Sequence, residues 1–153
     1  MPAPKFLSDA TGWWEGVSSL SLPWQRKEPY DSNSSLHVEI GPHGSFAQIE
    51  YRWSYEGAVQ HGVLLIAGNK NGGAVTVGWV DSWHQNPNVM NMTGKWEKDE
   101  SFSVLGHYSA GSGAEWGWRF DLGLVGDILE FEMTNIHPDG KEDWAVRCHY
   151  KRS

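Results

Sequence analysis

The chain has a single cysteine in 153 residues, no apolar run of membrane-spanning length and no basic excess. Each shortage excludes something. A lone Cys148 rules out an internal disulfide. Together with a start, Met1-Pro2-Ala3-Pro4-Lys5, that carries no apolar stretch of signal-peptide length, it points to a reducing compartment, the cytoplasm. The longest apolar stretch, Gly62-Val63-Leu64-Leu65-Ile66-Ala67-Gly68, falls far below the roughly 20 residues of a membrane-crossing helix, so no membrane partner is expected. Lys and Arg number 12 against 19 Asp and Glu, a formal net charge of −7 spread without blocks. Nucleic acids select basic stripes, and this sequence has none. Composition gives no preference on oligomeric state.

Catalytic signatures are equally scarce. No serine sits in a G-x-S-x-G context, and there is no phosphate-binding loop or dinucleotide fingerprint. The seven histidines, His37, His43, His61, His84, His107, His137 and His149, show neither H-x-H nor H-E-x-x-H spacing. A zinc site needs three or four convergent ligands, so no metal is expected. Cys148, read as inward between Val146 and Tyr150, is inert filler rather than a nucleophile.

What is abundant is tryptophan, 10 residues, and glycine, 18. Turn clusters punctuate the chain: Gly41-Pro42-His43-Gly44, Asn69-Lys70-Asn71-Gly72-Gly73, Asn86-Pro87-Asn88, Gly111-Ser112-Gly113 and Pro138-Asp139-Gly140. Between them, strands are expected over 12–22, 34–41, 45–56, 58–68, 73–84, 88–97, 101–109, 114–124, 127–136 and 141–152. Only residues 4–10 suit a short helix, placed to cap one end. The polar stretch 23–33 is the longest irregular connection, a lid, a binding loop or simply disorder. The expectation is one all-β domain over residues 1–153, an up-and-down antiparallel barrel of about eight to ten strands.

Strand side chains alternate between faces. In the last three strands Trp116, Trp118, Phe120 and Leu122, then Leu129, Phe131, Met133 and Asn135, then Trp144, Val146, Cys148 and Tyr150 share one side. Glu115, Arg119, Asp121, Glu130, Glu132, Asp143, Arg147 and Lys151 fall on the other, which faces water. Earlier strands place Tyr51, Trp53, Val77, Trp79, Asp81, Trp83, Met90, Met92 and Trp96 inward in the same way. A barrel near eight strands is just wide enough to be filled by side chains or to hold one small ligand. Any cavity left among so many indoles is compact, flat-walled and aromatic. A buried indole N–H needs a partner, which favours a ligand-holding or wet cavity over a solid core.

These faces yield a candidate ligand set: Tyr51, Trp53, Trp79, Asp81, Trp83, Met92, Trp118, Phe131, Asn135 and Trp144. The indole and phenyl rings are walls, while Tyr51, Asp81 and Asn135 are the few polar anchors of an apolar pocket. Asp81 is also the candidate catalytic group, because desolvation among aromatics raises a carboxyl pKa and suits acid/base work. Its bland alternative is a hydrogen bond near the strand end to Ser82, Arg119 or a loop backbone. Tyr51 and Asn135 read equally well as satisfied core polar groups.

The G-x-W-x-G run Gly12-Trp13-Trp14-Glu15-Gly16 resembles the entry motif of the calycin barrels: lipocalins, fatty-acid-binding proteins and nitrobindin-like haem proteins. With Gly78-Trp79-Val80-Asp81-Ser82, Trp118-Arg119, the segment from Met133 to Glu142 and the ending Tyr150-Lys151-Arg152, nearly the whole chain is similar to a bacterial family of lipocalin-like domains of unknown function. The resemblance implies that Trp14 closes one barrel end with Arg152 stacked on it. It also raises haem, which nitrobindin-like barrels hold through a histidine on a late strand. His149 has that position but shares parity with Arg147 and Lys151, which turns it to solvent, and the facing of His61 and His107 stays open. No cofactor is expected. Three functions follow: a binding protein for a small apolar or aromatic molecule; a barrel enzyme of isomerase, cyclase or hydratase type using Asp81; and a solid-cored barrel working by surface contact.

Overall fold

Alternating strands with tight turns between them pair with their chain neighbours, and here the last also pairs with the first. The computed structural model describes residues 5–69, 73–97, 100–111 and 113–153. Lys70, Asn71 and Gly72 of the second expected turn, Ser112 of the fourth and Pro4 of the helix lie outside them. Among the described residues a short helix α1 (Lys5–Asp9) leads into ten strands: β1 (Gly12–Leu20), β2 (Tyr30–Ile40), β3 (Ala47–Tyr55), β4 (Ala58–Asn69) and β5 (Ala74–Asp81), then β6 (Gln85–Glu97), β7 (Ser101–Tyr108), β8 (Trp116–Val125), β9 (Ile128–Ile136) and β10 (Glu142–Arg152). All pairs are antiparallel and the sheet is closed, as expected of an up-and-down barrel. No described helix is long and apolar enough to cross a membrane.

The two ends differ. At one, Phe6, Leu7 and Ala10 of the α1 segment are buried, and the Trp14 indole N–H donates to the Ala10 carbonyl at 2.7 Å. The Arg152 guanidinium lies 4.5 Å over the Trp14 ring and donates to the carbonyls of Thr11 and Asp9. It thereby serves carbonyls that a helix end leaves without intrahelical partners. Trp14 and Arg152 thus form the end plug that the resemblance implied. Above the plug the lumen is solid: Leu36, Ile49, Leu64, Val77, Met92, Phe120 and Phe131 are all at most 2% exposed. At the opposite end, cavities open among the described residues.

Three local departures from strict alternation shape that open end. First, β2 starts at Tyr30 rather than at 34, because Asp31 to Ser34 pair with the equally polar stretch Ser19 to Gly16 and need no apolar face to do so. The Ser19 hydroxyl donates to Asp31 at 2.7 Å. Second, the chain reverses between β5 and β6 at residues 82–84, not at Asn86-Pro87-Asn88. Asp81 pairs with Gln85 and Trp79 with Met90, so residues 86–89 bulge out against Val80 alone. A proline inside a strand is tolerated at such a bulge. Third, a register shift between Trp144 and Val146 reverses the faces before it. Trp144 pairs with Thr134, on the outer face beside Arg119, and its ring lies under the Arg147 guanidinium at 4.4 Å. Asp143, expected in water, instead pairs with Asn135 on the inner face.

Candidate functional site

The floor of the open end is a hydrogen-bonded cluster made possible by a glycine. Tyr51 on β3, Gly62 on β4 and Asp81 on β5 are paired across adjacent strands. A Cβ on Gly62 would sit 2.1 Å from the Tyr51 ring. Without it, the phenol lies across β4 and donates to Asp81 Oδ2 at 2.5 Å while accepting from the Trp79 indole at 3.0 Å. The other carboxylate oxygen accepts the backbone N–H groups of Trp83 at 2.8 Å and His84 at 2.9 Å, which folds the 82–84 turn inward. The Asn86 amide donates to the carbonyls of Asp81 and Ser82 and fixes the turn from outside.

Burial pushes the Asp81 carboxyl up, but the His84 side chain and its charge, the Tyr51 hydroxyl and the His84 backbone N–H outweigh it and hold the group below its usual value. The sequence expectation of a raised carboxyl therefore fails: desolvation is present, but so many donors converge that the anion is favoured. Burial and the Asp81 charge push the Tyr51 phenol well above its usual range. The strand-end hydrogen bond to loop backbone is what Asp81 does here.

Above this floor lies the His84 imidazole, its side chain 9% exposed. Its Nδ1 is 3.5 Å from Asp81 Oδ1, an ion-pair distance that is too long for a good hydrogen bond, and Nδ1 has no hydrogen-bond partner among the described residues. Four indoles surround the ring, with centroids at 4.7 Å for Trp83, 5.5 Å for Trp53, 5.6 Å for Trp118 and 6.4 Å for Trp79. Trp118 stacks on Trp79 at 5.7 Å, and its own buried indole N–H finds no acceptor among the described residues.

A cavity of 380 Å³ opens here, walled by Leu20, Leu22, Trp24, Trp83, His84, Tyr108, Trp116, Trp118, Asn135 and the His137 and Asp143 rim. A deeper space of 140 Å³ adjoins it between Trp79, Met90, Tyr108 and Trp118, and His84, Tyr108 and Trp118 line both. The larger volume is in the range of about 300–1,000 Å³ typical of small-ligand sites. The Tyr108 hydroxyl donates to Asn135 at 2.5 Å, and His137 meets Asp143 at 2.6 Å, a bond that holds the carboxyl below its usual value. The connection between β1 and β2 lines the mouth, with its Leu22 buried and its Trp24 72% exposed. A larger depression of 580 Å³ runs along the outer wall past Glu15, Asn33, Arg52 and Val59. It is an open, mostly polar groove that touches one aromatic ring, Trp53, whereas several rings wall the smaller mouth cavity, which is therefore the better candidate for a binding site.

The sequence-derived set divides by depth. Trp79, Trp83, Trp118, Asn135 and Trp144 border the cavities, Trp144 from the outer rim. Trp53 packs behind Trp83. Tyr51 and Asp81 lie one layer beneath His84, and Met92 and Phe131 belong to the solid core. Trp116, turned inward by parity but absent from the candidate set, also lines the site, as do His84, Tyr108, His137 and Trp24, which strand parity does not single out. His84 carries a signal of its own, since an aspartate that accepts the N–H groups two and three residues on makes a local turn, and that turn carries residue 84 inward. The haem candidates lie elsewhere: His149 sits beside Glu130 at 3.7 Å and His61 4.0 Å from Glu50 on the outer wall, and His107 is exposed. No group of three or more His, Cys, Asp or Glu converges for a metal among the described residues. Burial raises the Cys148 thiol, which suits the inert role expected of it.

Comparison with solved structures places this barrel beside the crystal structure of Rv2717c from M. tuberculosis, at TM-score 0.64 and 10% identity over 100% of this chain and 99% of that one. At that identity the likeness concerns the fold alone. No curated protein matches the sequence. Residues 2–152 match the family described as "Protein of unknown function (DUF1579)", and the chain belongs to that family.

Proposed function

We propose that this chain is a lipocalin-like, cytoplasmic binding barrel for a small, flat aromatic or apolar molecule, held in the mouth cavity. The observation that carries the assignment is Trp118. It lines both adjoining spaces, yet its buried indole N–H has no acceptor among the described residues. An unpaired buried donor costs about 1–3 kcal/mol, which an acceptor on a bound molecule recovers. The ligand class follows from the walls: rings from Trp83, Tyr108, Trp116 and Trp118 favour a stacked planar molecule, and among the described residues neither cavity is lined by Lys or Arg to hold a strong acid.

Quinoline and naphthalene differ by one ring acceptor in nearly the same shape and test this directly. Titrated against intrinsic tryptophan emission at pH 8, both quench the parent protein, quinoline with the lower Kd by about 3–10-fold, the value of one net hydrogen bond. Trp118→Phe keeps a wall but removes the donor, and it brings the two Kd values together. Failure of both probes to quench the folded parent ends the assignment.

A further inference from the structure

His84 faces both cavities and is backed by a carboxylate, a combination that no other described residue offers. Its ring is fixed by four indoles, and its Nδ1 side faces Asp81. Nδ1 is the sealed nitrogen, buried without a hydrogen-bond partner among the described residues, which leaves Nε2 to meet a substrate. Asp81 is itself immobilised by Tyr51 and by two backbone N–H groups, so the anion behind the imidazole is both charged and fixed. A base–orienter pair of this kind at the floor of an aromatic slot is what proton abstraction requires.

We propose that the pocket performs proton transfer as well as binding, with His84 as the general base that takes a proton from a flat aromatic carbon acid stacked in the mouth. Resting on the binding assignment above, this names the reaction class, an elimination or a proton-shift isomerisation. The substrate C–H bond breaks, its proton goes to His84 Nε2, and its electron pair forms a new π bond as a leaving group departs, or as an enolate that the same imidazolium reprotonates at another carbon. Nothing is oxidised or reduced. Asp81 is a positioning residue, whose fixed charge offsets that of the imidazolium. The other titratable groups facing His84 are Tyr51 behind Asp81, Tyr108 beside it, and His137 with Asp143 across the mouth. His137 is tied to Asp143 and stacked on Trp116 at 4.4 Å at the rim, away from the carboxylate floor.

The probe is 5-nitrobenzisoxazole, a planar carbon acid. Loss of its C3 proton turns the C–H electron pair into the third bond of a nitrile, breaks the N–O bond and releases a coloured 2-cyano-4-nitrophenolate. Binding is read from tryptophan quenching and turnover from colour. The expected result is saturable elimination that His84→Gln lowers about 100-fold or more in kcat with the Kd nearly unchanged, in the range of general-base contributions. Asp81→Asn, which keeps a backbone acceptor but loses the charge, lowers kcat about tenfold with little change in KM, while His149→Gln, on the outer wall beside Glu130, leaves the rate as it was. Should His84→Gln melt early, the parent's own profile decides: the rate falls as the pH is lowered and protons compete for the base. A bound probe with no saturable turnover, turnover that survives in His84→Gln, or a rate that does not fall with the pH overturns the general base and leaves binding standing. Absence of quenching removes both.

Discussion

Trp14→Ala unfolds in urea with about 3–5 kcal/mol less stability than the parent, the range for a large aromatic removed from a core. At ordinary urea slopes that is a midpoint shift of roughly 2 M. Three losses combine. The indole is 1% exposed, so its removal leaves a void between the α1 segment and the core. The Ala10 carbonyl loses its 2.7 Å donor in a buried setting. The Arg152 guanidinium loses the ring it covers at 4.5 Å, a contact worth about 0.5–1 kcal/mol where exposed. Trp14→Phe, which keeps a ring but no N–H, falls between. Arg152→Ala costs less than either, since the guanidinium is exposed and water replaces it at the carbonyls of Thr11 and Asp9. A Trp14→Ala midpoint within about 0.3 M of the parent's, a loss well under 1 kcal/mol, would show that the G-x-W-x-G segment does not hold this end closed.

The closed half of the barrel is readable in the sequence because alternation there is unbroken. Leu129, Phe131 and Met133 on β9, and Val146, Cys148 and Tyr150 on β10, lie inward as their parity requires, each at most 5% exposed. The site is less readable because it sits where alternation ends. One extra residue at Ala145 sends Trp144 outward and Asp143 inward, and period-two parity cannot detect an insertion whose neighbours are Trp, Ala and Val. The turn at 82–84 takes both Trp83 and His84 into the mouth, although successive strand residues would oppose each other. Parity alone identifies Asp81 as a buried carboxylate, but its ionisation depends on donors from Tyr51, Trp83 and His84, and two of those come from a turn that lies earlier than the Asn-Pro-Asn signal suggests. Trp118 and Asn135 reach the cavity lining from the inward face that parity gives them, because β8 and β9 stay regular to their ends.

Gly62→Val tests whether the floor of the site depends on the absence of one side chain. A Cβ at position 62 would lie 2.1 Å from the Tyr51 ring and 2.2 Å from its hydroxyl oxygen, so the phenol must leave its place. The end of a side chain normally moves cheaply, but this one is bound to Asp81 at 2.5 Å and to the Trp79 indole at 3.0 Å. Overpacking costs about 1–3 kcal/mol, and loss of a hydrogen bond to a buried charge about 1.5–3 kcal/mol. The expected loss is therefore about 3–5 kcal/mol in urea at pH 7, with Tyr51→Phe accounting for the second part alone. The acid dependence fixes the cause. A carboxyl whose pKa is lowered by folding contributes stability above its unfolded value and loses it as the pH falls through the folded one. The parent's stability should thus drop below about pH 5, where an unfolded aspartate with a pKa near 3.9 begins to take up protons, and the drop should be shallower in Gly62→Val because Asp81 has lost a donor that favours its anion. A double-mutant cycle completes the test. Tyr51→Ala vacates the space that the introduced side chain needs, so the pair together costs less than the sum of the singles. If the two costs simply add and the acid limb is unchanged, Tyr51 does not cross β4 at Gly62, and the arrangement of Tyr51, Asp81 and His84 as one unit fails with it.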